Sequence, residues 1–260
     1  MAIADVSGKS IPELISLRGR NAVVTGGARG IGLAICQRLA EAGANMVVGD
    51  VREDLGKEAA EHMAQHWGVK ALFCAVDVSD GVSIAHLADK TVQELGGIDI
   101  WVNNAAIFPH SPVLEMSDEQ WDRVLDINLR GTFIGAREAA KRMIGTQKGG
   151  VIINVASTAG YRGGPTNPHY VASKHGVRGL TKSLAIALGP QNIRVLALAP
   201  TWISTPGILE SGRDPSTFEP PPLGRFGVPD DVGRVALFCA SDLSMLMTGS
   251  TIAVDAGALA

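Results

Sequence analysis

Tyr170 and Lys174 stand four residues apart in HYVASKHGVRGL, a stretch with helical periodicity, so both side chains fall on one helix face. A phenol titrates near 10 and is a poor base at neutral pH. A neighbouring ammonium favours the phenolate and lowers that value. Bringing it to about 7 takes about three pKa units, or roughly 4 kcal/mol of differential stabilisation. Lys174 can supply part of this. The chain has only 2 Tyr, and the other, Tyr161, has Pro165 at the same spacing. Ser157, just past the apolar run VIINVA, can hold a substrate oxygen beside Tyr170. Asn128, in the preceding helical region, can keep a water that passes protons to Lys174. Asn inside a helix is mildly unfavourable, which fits such a role. The catalytic candidates are therefore Asn128, Ser157, Tyr170 and Lys174.

A second chemistry lies near the N-terminus, where Thr25 to Gly32 reads TGGARGIG. Glycines let the backbone approach a pyrophosphate, and the helix that follows aims free N–H groups and its positive dipole end at the anion. Without a ligand the same turn is an ordinary strand–helix connection. Its place between a strand-like NAVVT and a helix marked by Ile31, Ile35, Leu39 and Ala42 is the context a dinucleotide site requires. Gly26, Arg29, Gly30, Ile31 and Gly32 are the candidates. Asp50, ending the second strand with Val51 behind it, can accept hydrogen bonds from adenosine ribose hydroxyls and repels a 2′-phosphate. Arg29 and Arg52 pull the other way. Repulsion at close range is hard to offset, so NAD is the expected cofactor. Asp77-Val78 follows the third strand, where Asp77 either holds the adenine amine or caps the next helix. Asn103-Asn104-Ala105-Ala106 follows the fourth, where a dinucleotide crossing the sheet edge would pass. Paired Asn residues there can equally support the site through neighbouring backbone. A positive nicotinamide ring would share with Lys174 the task of lowering the Tyr170 pKa.

The elements that must position these residues follow from the apolar pattern. Continuous Val/Ile/Ala runs fall at Asn21–Thr25, Asn45–Asp50, Val69–Val76, Ile98–Asn103, Val151–Ala156, Ile193–Ala199 and Thr251–Asp255. Between them lie amphipathic stretches at Glu53–Trp67, Asp80–Leu95, Arg130–Gly145 and His169–Leu188. Ser117 with Gln120 makes a capping box, and Pro229 with Asp230 and Asp231 opens a further helix. Strand–helix repetition with continuous apolar strands predicts an α/β fold: a doubly wound parallel sheet covered on both faces, in a single domain over residues 1–260. Residues 1–16 read as a leader and 200–227, rich in Pro and Gly, as a long functional loop.

Composition removes other classes. With 46% hydrophobic and 19% charged residues the chain is an ordinary globular one. A net charge of −3 leaves no footprint for nucleic acid or anionic lipid. No apolar run approaches the roughly 18 residues of a membrane span. Cys36, Cys74 and Cys239 show no CxxC spacing and read as reduced buried thiols of a cytoplasmic protein. His62, His66, His86, His110, His169 and His175 show no ligand spacing, so no catalytic metal is expected.

From about Leu17 to the C-terminus the chain resembles the short-chain dehydrogenase/reductase family, in its compact single-domain branch. TGGARGIG matches the family's TGxxxGxG, NNAA resembles its NNAG, and Asp77 matches its adenine-side acid. Asn128, Ser157, Tyr170 and Lys174 match its Asn-Ser-Tyr-Lys tetrad in order. Ala106 and Thr201 depart from it, each standing where the family pattern has glycine. The resemblance implies hydride transfer between the nicotinamide and a carbinol carbon, with Tyr170 as acid/base and Lys174 also bonding the nicotinamide ribose. It implies contacts to the carboxamide from the segment at Pro200, Ile203 and Thr205. It also implies a homotetramer built through the Arg130 and Tyr170 helices, where Ala136, Ala139 and Ala140 suit close packing.

Specificity then falls to Ile107–Pro112, Thr158–Pro168 and Trp202–Phe226. Ile107, Phe108, Trp202, Ile203 and Leu209 make a mostly apolar pocket around Ser157, which points to a hydrophobic secondary alcohol or ketone, cyclic or terpenoid. A 3-oxoacyl thioester is the alternative substrate, although Arg130 and Arg162 do not make a basic docking patch. A non-catalytic dinucleotide-binding sensor or scaffold is the alternative of another class. A methyltransferase on the same fold would have no use for the Tyr–Lys pair.

Overall fold

Among the described residues, seven apolar runs form strands: β1 (Asn21–Thr25), β2 (Asn45–Asp50), β3 (Ala71–Ala75), β4 (Ile100–Asn103), β5 (Gly150–Val155), β6 (Ile193–Pro200) and β7 (Thr251–Val254). The computed structural model describes residues 3–146, 148–210 and 219–260, with the Leu209 side chain also outside them. The strands lie in the order β3-β2-β1-β4-β5-β6-β7. All six pairings are parallel. The order reverses between β1 and β4, and at such a switch point the connections diverge and leave a crevice beyond the carboxyl ends.

The helices are α1 (Ile11–Ile15), α2 (Gly30–Glu41), α3 (Glu53–Trp67), α4 (Gly81–Leu95), α5 (Asp118–Leu125), α6 (Gly131–Thr146), α7 (Pro168–Leu188), α8 (Pro206–Glu210) and α9 (Pro229–Ala240). Strand residues alternate between two cores. Ala22, Val24, Met46 and Val48 pack with α2, α3 and α9 on one face. Val23, Val47, Trp101 and Ile152 pack with α4, α6 and α7 on the other. With both faces covered the strands need no polar side, which is why their sequences run continuously apolar. Each fully buried Val, Leu or Ile contributes roughly 1.5–3 kcal/mol.

Local signals set the ends. The Ser117 hydroxyl accepts from Gln120 N (3.3 Å) while the Gln120 amide oxygen accepts from Ser117 N (3.1 Å). Asp231 accepts from Val228 N at 2.9 Å, fixing the start of α9. β3 begins at Ala71, not Val69, and β4 at Ile100, not Ile98. Val69 and Ile98 are apolar because they pack against the cores, ahead of the point where laddering starts. The first residues carry α1, and Lys9 Nζ reaches the buried Asp242 carboxylate at 2.6 Å. Cys36, Cys74 and Cys239 are free and buried, and burial pushes the Cys239 thiol up to about 12. No helix of the described residues is long and apolar enough to cross a membrane.

A buried polar chain ties the middle of the sheet to α6 and to α7, the helix of Tyr170 and Lys174. Trp101 Nε1 donates to Asn103 Oδ1 (2.7 Å). Asn103 Nδ2 donates to Thr132 O (3.2 Å) on α6 and to Asn154 Oδ1 (2.9 Å) on β5. Asn154 Nδ2 continues to Thr181 Oγ1 (3.0 Å) on α7. Removing a member leaves buried groups unpaired, at about 1–3 kcal/mol each. Asn103→Ala is therefore expected to lower stability by about 2–4 kcal/mol. The check is a urea titration in which the midpoint falls with the slope unchanged.

Candidate active site

A cleft of about 660 Å³ opens beyond the carboxyl ends of the strands. Its walls gather nearly every residue that the sequence nominated. Gly26, Arg29, Gly30, Ile31 and Gly32 come from the turn after β1, and Asp50 and Val51 from the end of β2. Asp77 and Val78 follow β3, and Asn104, Ala105, Ile107 and Phe108 follow β4. Ser157, Tyr170 and Lys174 face them, with Pro200, Trp202, Ile203 and Thr205 past β6. Asn128 is not on the wall. The side chain of Leu209 lies outside the described residues.

The cradle is made of backbone. Gly26 (φ +64°) and Gly30 (φ +57°) take the left-handed conformation, and a side chain on Gly32 would sit 2.0 Å from the Gly26 carbonyl oxygen. Arg29 is the N-cap residue of α2 and makes no side-chain cap bond, so the first-turn N–H groups stay available to an anion. Asn104 Nδ2 donates to the carbonyls of Thr25 (2.9 Å) and Gly26 (3.0 Å). Thr25 Oγ1 accepts in return from Asn104 N (3.1 Å) and Ala105 N (3.2 Å). Asn104 thus holds the shape of the turn.

The acids are placed with distinct partners. Asp50 is buried, and its two oxygens accept from Ala28 N and Arg52 N, each at 3.0 Å. Each oxygen keeps a lone pair for a hydroxyl donor. Asp77 Oδ1 accepts from the Ser79 hydroxyl (2.7 Å) and backbone N–H (2.9 Å), which hold its carboxyl below the usual range. The cap of α4 is Asp80, which accepts from Val82 N and Ser83 N. The cap alternative for Asp77 is thereby corrected, leaving Asp77 on the cleft wall. Arg29 Nη1 is paired with both oxygens of Glu210 at 2.8 Å.

Across the cleft, Lys174 is 2% exposed. Its ammonium donates to Val155 O at 2.8 Å and lies 5.6 Å from the centre of the Tyr170 ring. Burial pulls its pKa down to about 8. Phe108 meets the Tyr170 ring edge-on, with centroids 6.3 Å apart. Ser157 Oγ accepts from Ala159 N at 3.1 Å, so its own hydroxyl hydrogen is left to donate outward.

Asn128 is arranged differently from the expected water relay. It is fully buried in a π-helical turn, Asp126–Arg130, between α5 and α6. Its Oδ1 accepts from Ile107 N (2.9 Å), and its Nδ2 donates to Ile107 O (2.8 Å) and Ser173 Oγ (3.2 Å). The side chain fixes Ile107 in the wall and does not itself face the cleft. Thr201 and Ala106 do not adopt a left-handed φ, so both fit where glycine would be the norm. Arg123 and Asn167 also line the cleft and went unnoticed in the sequence. Asn167 lies inside a nominated specificity segment, whereas Arg123 reads as an ordinary surface residue of α5.

A backbone cradle with open N–H groups, an acceptor carboxylate on one side and a buried ammonium on the other fits a nicotinamide dinucleotide. Comparison with known proteins agrees. A family model described as enoyl-(acyl carrier protein) reductase matches residues 26–258. A 3-oxoacyl-(acyl-carrier-protein) reductase of Chlamydia muridarum is 38% identical over 244 residues, covering 93% of this chain and 98% of its own length. The 3beta-hydroxysteroid dehydrogenase 1 of Eggerthella lenta is 38% identical over 245 residues, covering 93% and 94%. Among solved structures, a gluconate 5-dehydrogenase from Burkholderia cenocepacia in complex with NADP and tartrate matches with a TM-score of 0.90 at 32% identity, covering 96% and 98%.

Lys174 sets a pH dependence of stability. Its native pKa of about 8 lies below the ordinary 10.5, so between those values the unfolded chain binds more protons and native stability rises with pH. The burial cost is complete below about pH 8 and gone above about 10.5. Relative to Lys174→Met, the wild type should gain about 3 kcal/mol across that window, at about 1.4 kcal/mol per pKa unit. Urea midpoints of the two proteins from pH 7.5 to 10.5 check this; parallel curves would contradict it.

Proposed function

The chain belongs to the short-chain dehydrogenase/reductase family and is an oxidoreductase, and from that premise we propose that it interconverts a hydrophobic secondary alcohol, cyclic or terpenoid, and its ketone, with NAD as cofactor. The observation that carries this reading is the presence of Tyr170, Lys174 and Ser157 in the same cleft as the glycine turn and Asp50.

When bound, the dinucleotide supplies the two-electron acceptor or donor and, when oxidised, a second positive charge. Ser157 donates its hydroxyl hydrogen to the substrate oxygen. On oxidation Tyr170 takes the hydroxyl proton as phenolate; on reduction it returns one. The Lys174 ammonium, 5.6 Å from the centre of the Tyr170 ring, favours the phenolate and lowers the pKa of the phenol. One of the three Lys174 donors is used on Val155 O, leaving two for a ribose hydroxyl. Asn128 acts through Ile107, keeping the wall beside Tyr170 in place.

Asp50 supports NAD, because a fixed, buried carboxylate at the ribose end opposes a 2′-phosphate. Ile107, Phe108, Trp202 and Ile208 support an apolar substrate. A 3-oxoacyl thioester is the second reading, favoured by the Chlamydia relative, although the steroid dehydrogenase is equally similar. A homotetramer is the assembly we infer: Phe133 and Ile144 on α6 and Ile186 on α7 are large apolar side chains left exposed. Three free buried thiols suit a reducing, cytoplasmic setting.

The test is a panel of cyclic terpene alcohols, steroids and acetoacetyl thioesters assayed with NAD(H) and NADP(H). Turnover of the alcohols with NAD preferred is the expected result; turnover confined to thioesters would overturn the substrate reading. Tyr170→Phe should lower kcat by about 10²–10⁴-fold while NAD binding persists. Unchanged turnover would remove Tyr170 from the chemistry.

A further inference from the structure

Next to the cleft, bonded to one of its lining residues, Arg29, lies an acid that neither the sequence motifs nor the family pattern brings into cofactor recognition. Glu210 ends α8, in the segment past β6. Its two carboxylate oxygens both accept from Arg29 Nη1 at 2.8 Å. Arg29 is the N-cap residue of α2, at the rim of the phosphate cradle. α8 and the residue before it lie close to that rim: a Cβ built on Gly207 would be 3.7 Å from Arg29 Nη2, and one on Gly30 would be 3.5 Å from Thr205. Glu210 also feels the charge of Arg52, which follows the end of β2 and lines the same cleft.

Arg29, next to Ala28 whose N–H bonds Asp50, and Arg52, whose N–H also bonds Asp50, are cations that could take a 2′-phosphate on the adenosine ribose. Such a phosphate carries nearly two negative charges and is recognised by arginine through paired N–H donors. We propose that Glu210 is a cofactor-selectivity residue: it occupies Arg29, denying a 2′-phosphate the cation at the rim of the cradle. The inference rests on the NAD reading above and deepens it.

Two features favour selectivity over a purely structural role. The bridge joins a half-buried Arg29 to an exposed Glu210, and such solvent-facing pairs add little stability. Its carboxylate also adds to the charge that Asp50 already places at the ribose end. To bind NADP the chain would have to exchange one anion on Arg29 for another while leaving two carboxylates beside the phosphate. NAD asks for no such exchange.

The experiment measures dissociation constants of NAD and NADP by fluorescence titration for the wild type, Glu210→Gln, Arg29→Ala and Glu210→Gln/Arg29→Ala. In Glu210→Gln the affinity for NADP relative to NAD should rise about tenfold. In the double variant that gain should vanish, because Arg29 is the cation released. An unchanged ratio overturns the proposal, and so does a parallel change in both affinities, since a bridge that only positions α8 would move the two cofactors together. A gain that survives loss of Arg29 overturns the route through Arg29. Wild-type preference for NADP would remove the NAD reading by itself, while the response of the ratio to Glu210→Gln still decides the role of Glu210.

Discussion

Asn103 lies where β4 ends, and its amide is the joint between the sheet and helices α6 and α7, the second of which carries Tyr170 and Lys174. It accepts from Trp101 Nε1 and donates to Thr132 O and Asn154 Oδ1, and Asn154 passes the chain to Thr181 on α7. Thr132 Oγ1 in turn donates to Asn128 O at 2.7 Å. A satisfied network of this kind admits one arrangement of its members, because any slip leaves a buried donor or acceptor alone. Two strands and two helices are thereby held in one register. Asn104, the next residue, holds the glycine turn. Adjacent Asn side chains thus fix the two halves of the cleft from the end of one strand.

The electrostatics of the cleft divide along the same line. Near the glycine turn and the end of β2, carboxylates and guanidiniums alternate: Asp50 between two backbone donors, Arg29 on Glu210, and Arg52 next to Asp50. The groups there are mostly paired, so what enters must match an existing balance. At the other end a single ammonium lies buried beside a phenol, with a backbone carbonyl as its bonded partner. That charge is costly to keep, and it is the same charge that favours the phenolate.

The sheet was legible because two-sided burial writes continuous apolar runs, and the cradle because only glycine fits its turn. What stayed hidden is what backbone atoms decide. Asn128 bonds the N–H and C=O of Ile107, which leave no mark in the identity of residue 107. Whether Asp77 caps α4 turned on the exact helix start, which lies at Gly81 with Asp80 as its cap. Arg29 and Glu210 are 181 positions apart, and no periodicity links them. Thr201 looked like a defect against the family pattern, yet its backbone is not left-handed and its N–H donates to Val254 O at 3.2 Å. The glycine there is therefore not demanded by φ.

The costs of the site concentrate at the start of α7. Its N-cap, Asn167, makes no side-chain cap bond. One first-turn donor, Tyr170 N, is instead taken by His169 Nδ1 at 2.9 Å. That bond requires the other ring nitrogen to carry the proton, and His169 Nε2 is buried with no hydrogen-bond partner among the described residues. One turn further on, Lys174 is buried with no acidic partner among the described residues. A helix built for stability would cap its first turn with Ser or Asp and keep the ammonium in water. Here the local rules are broken on both sides of Tyr170, and the buried network behind β4 and β5 supplies the rigidity that lets them stay broken.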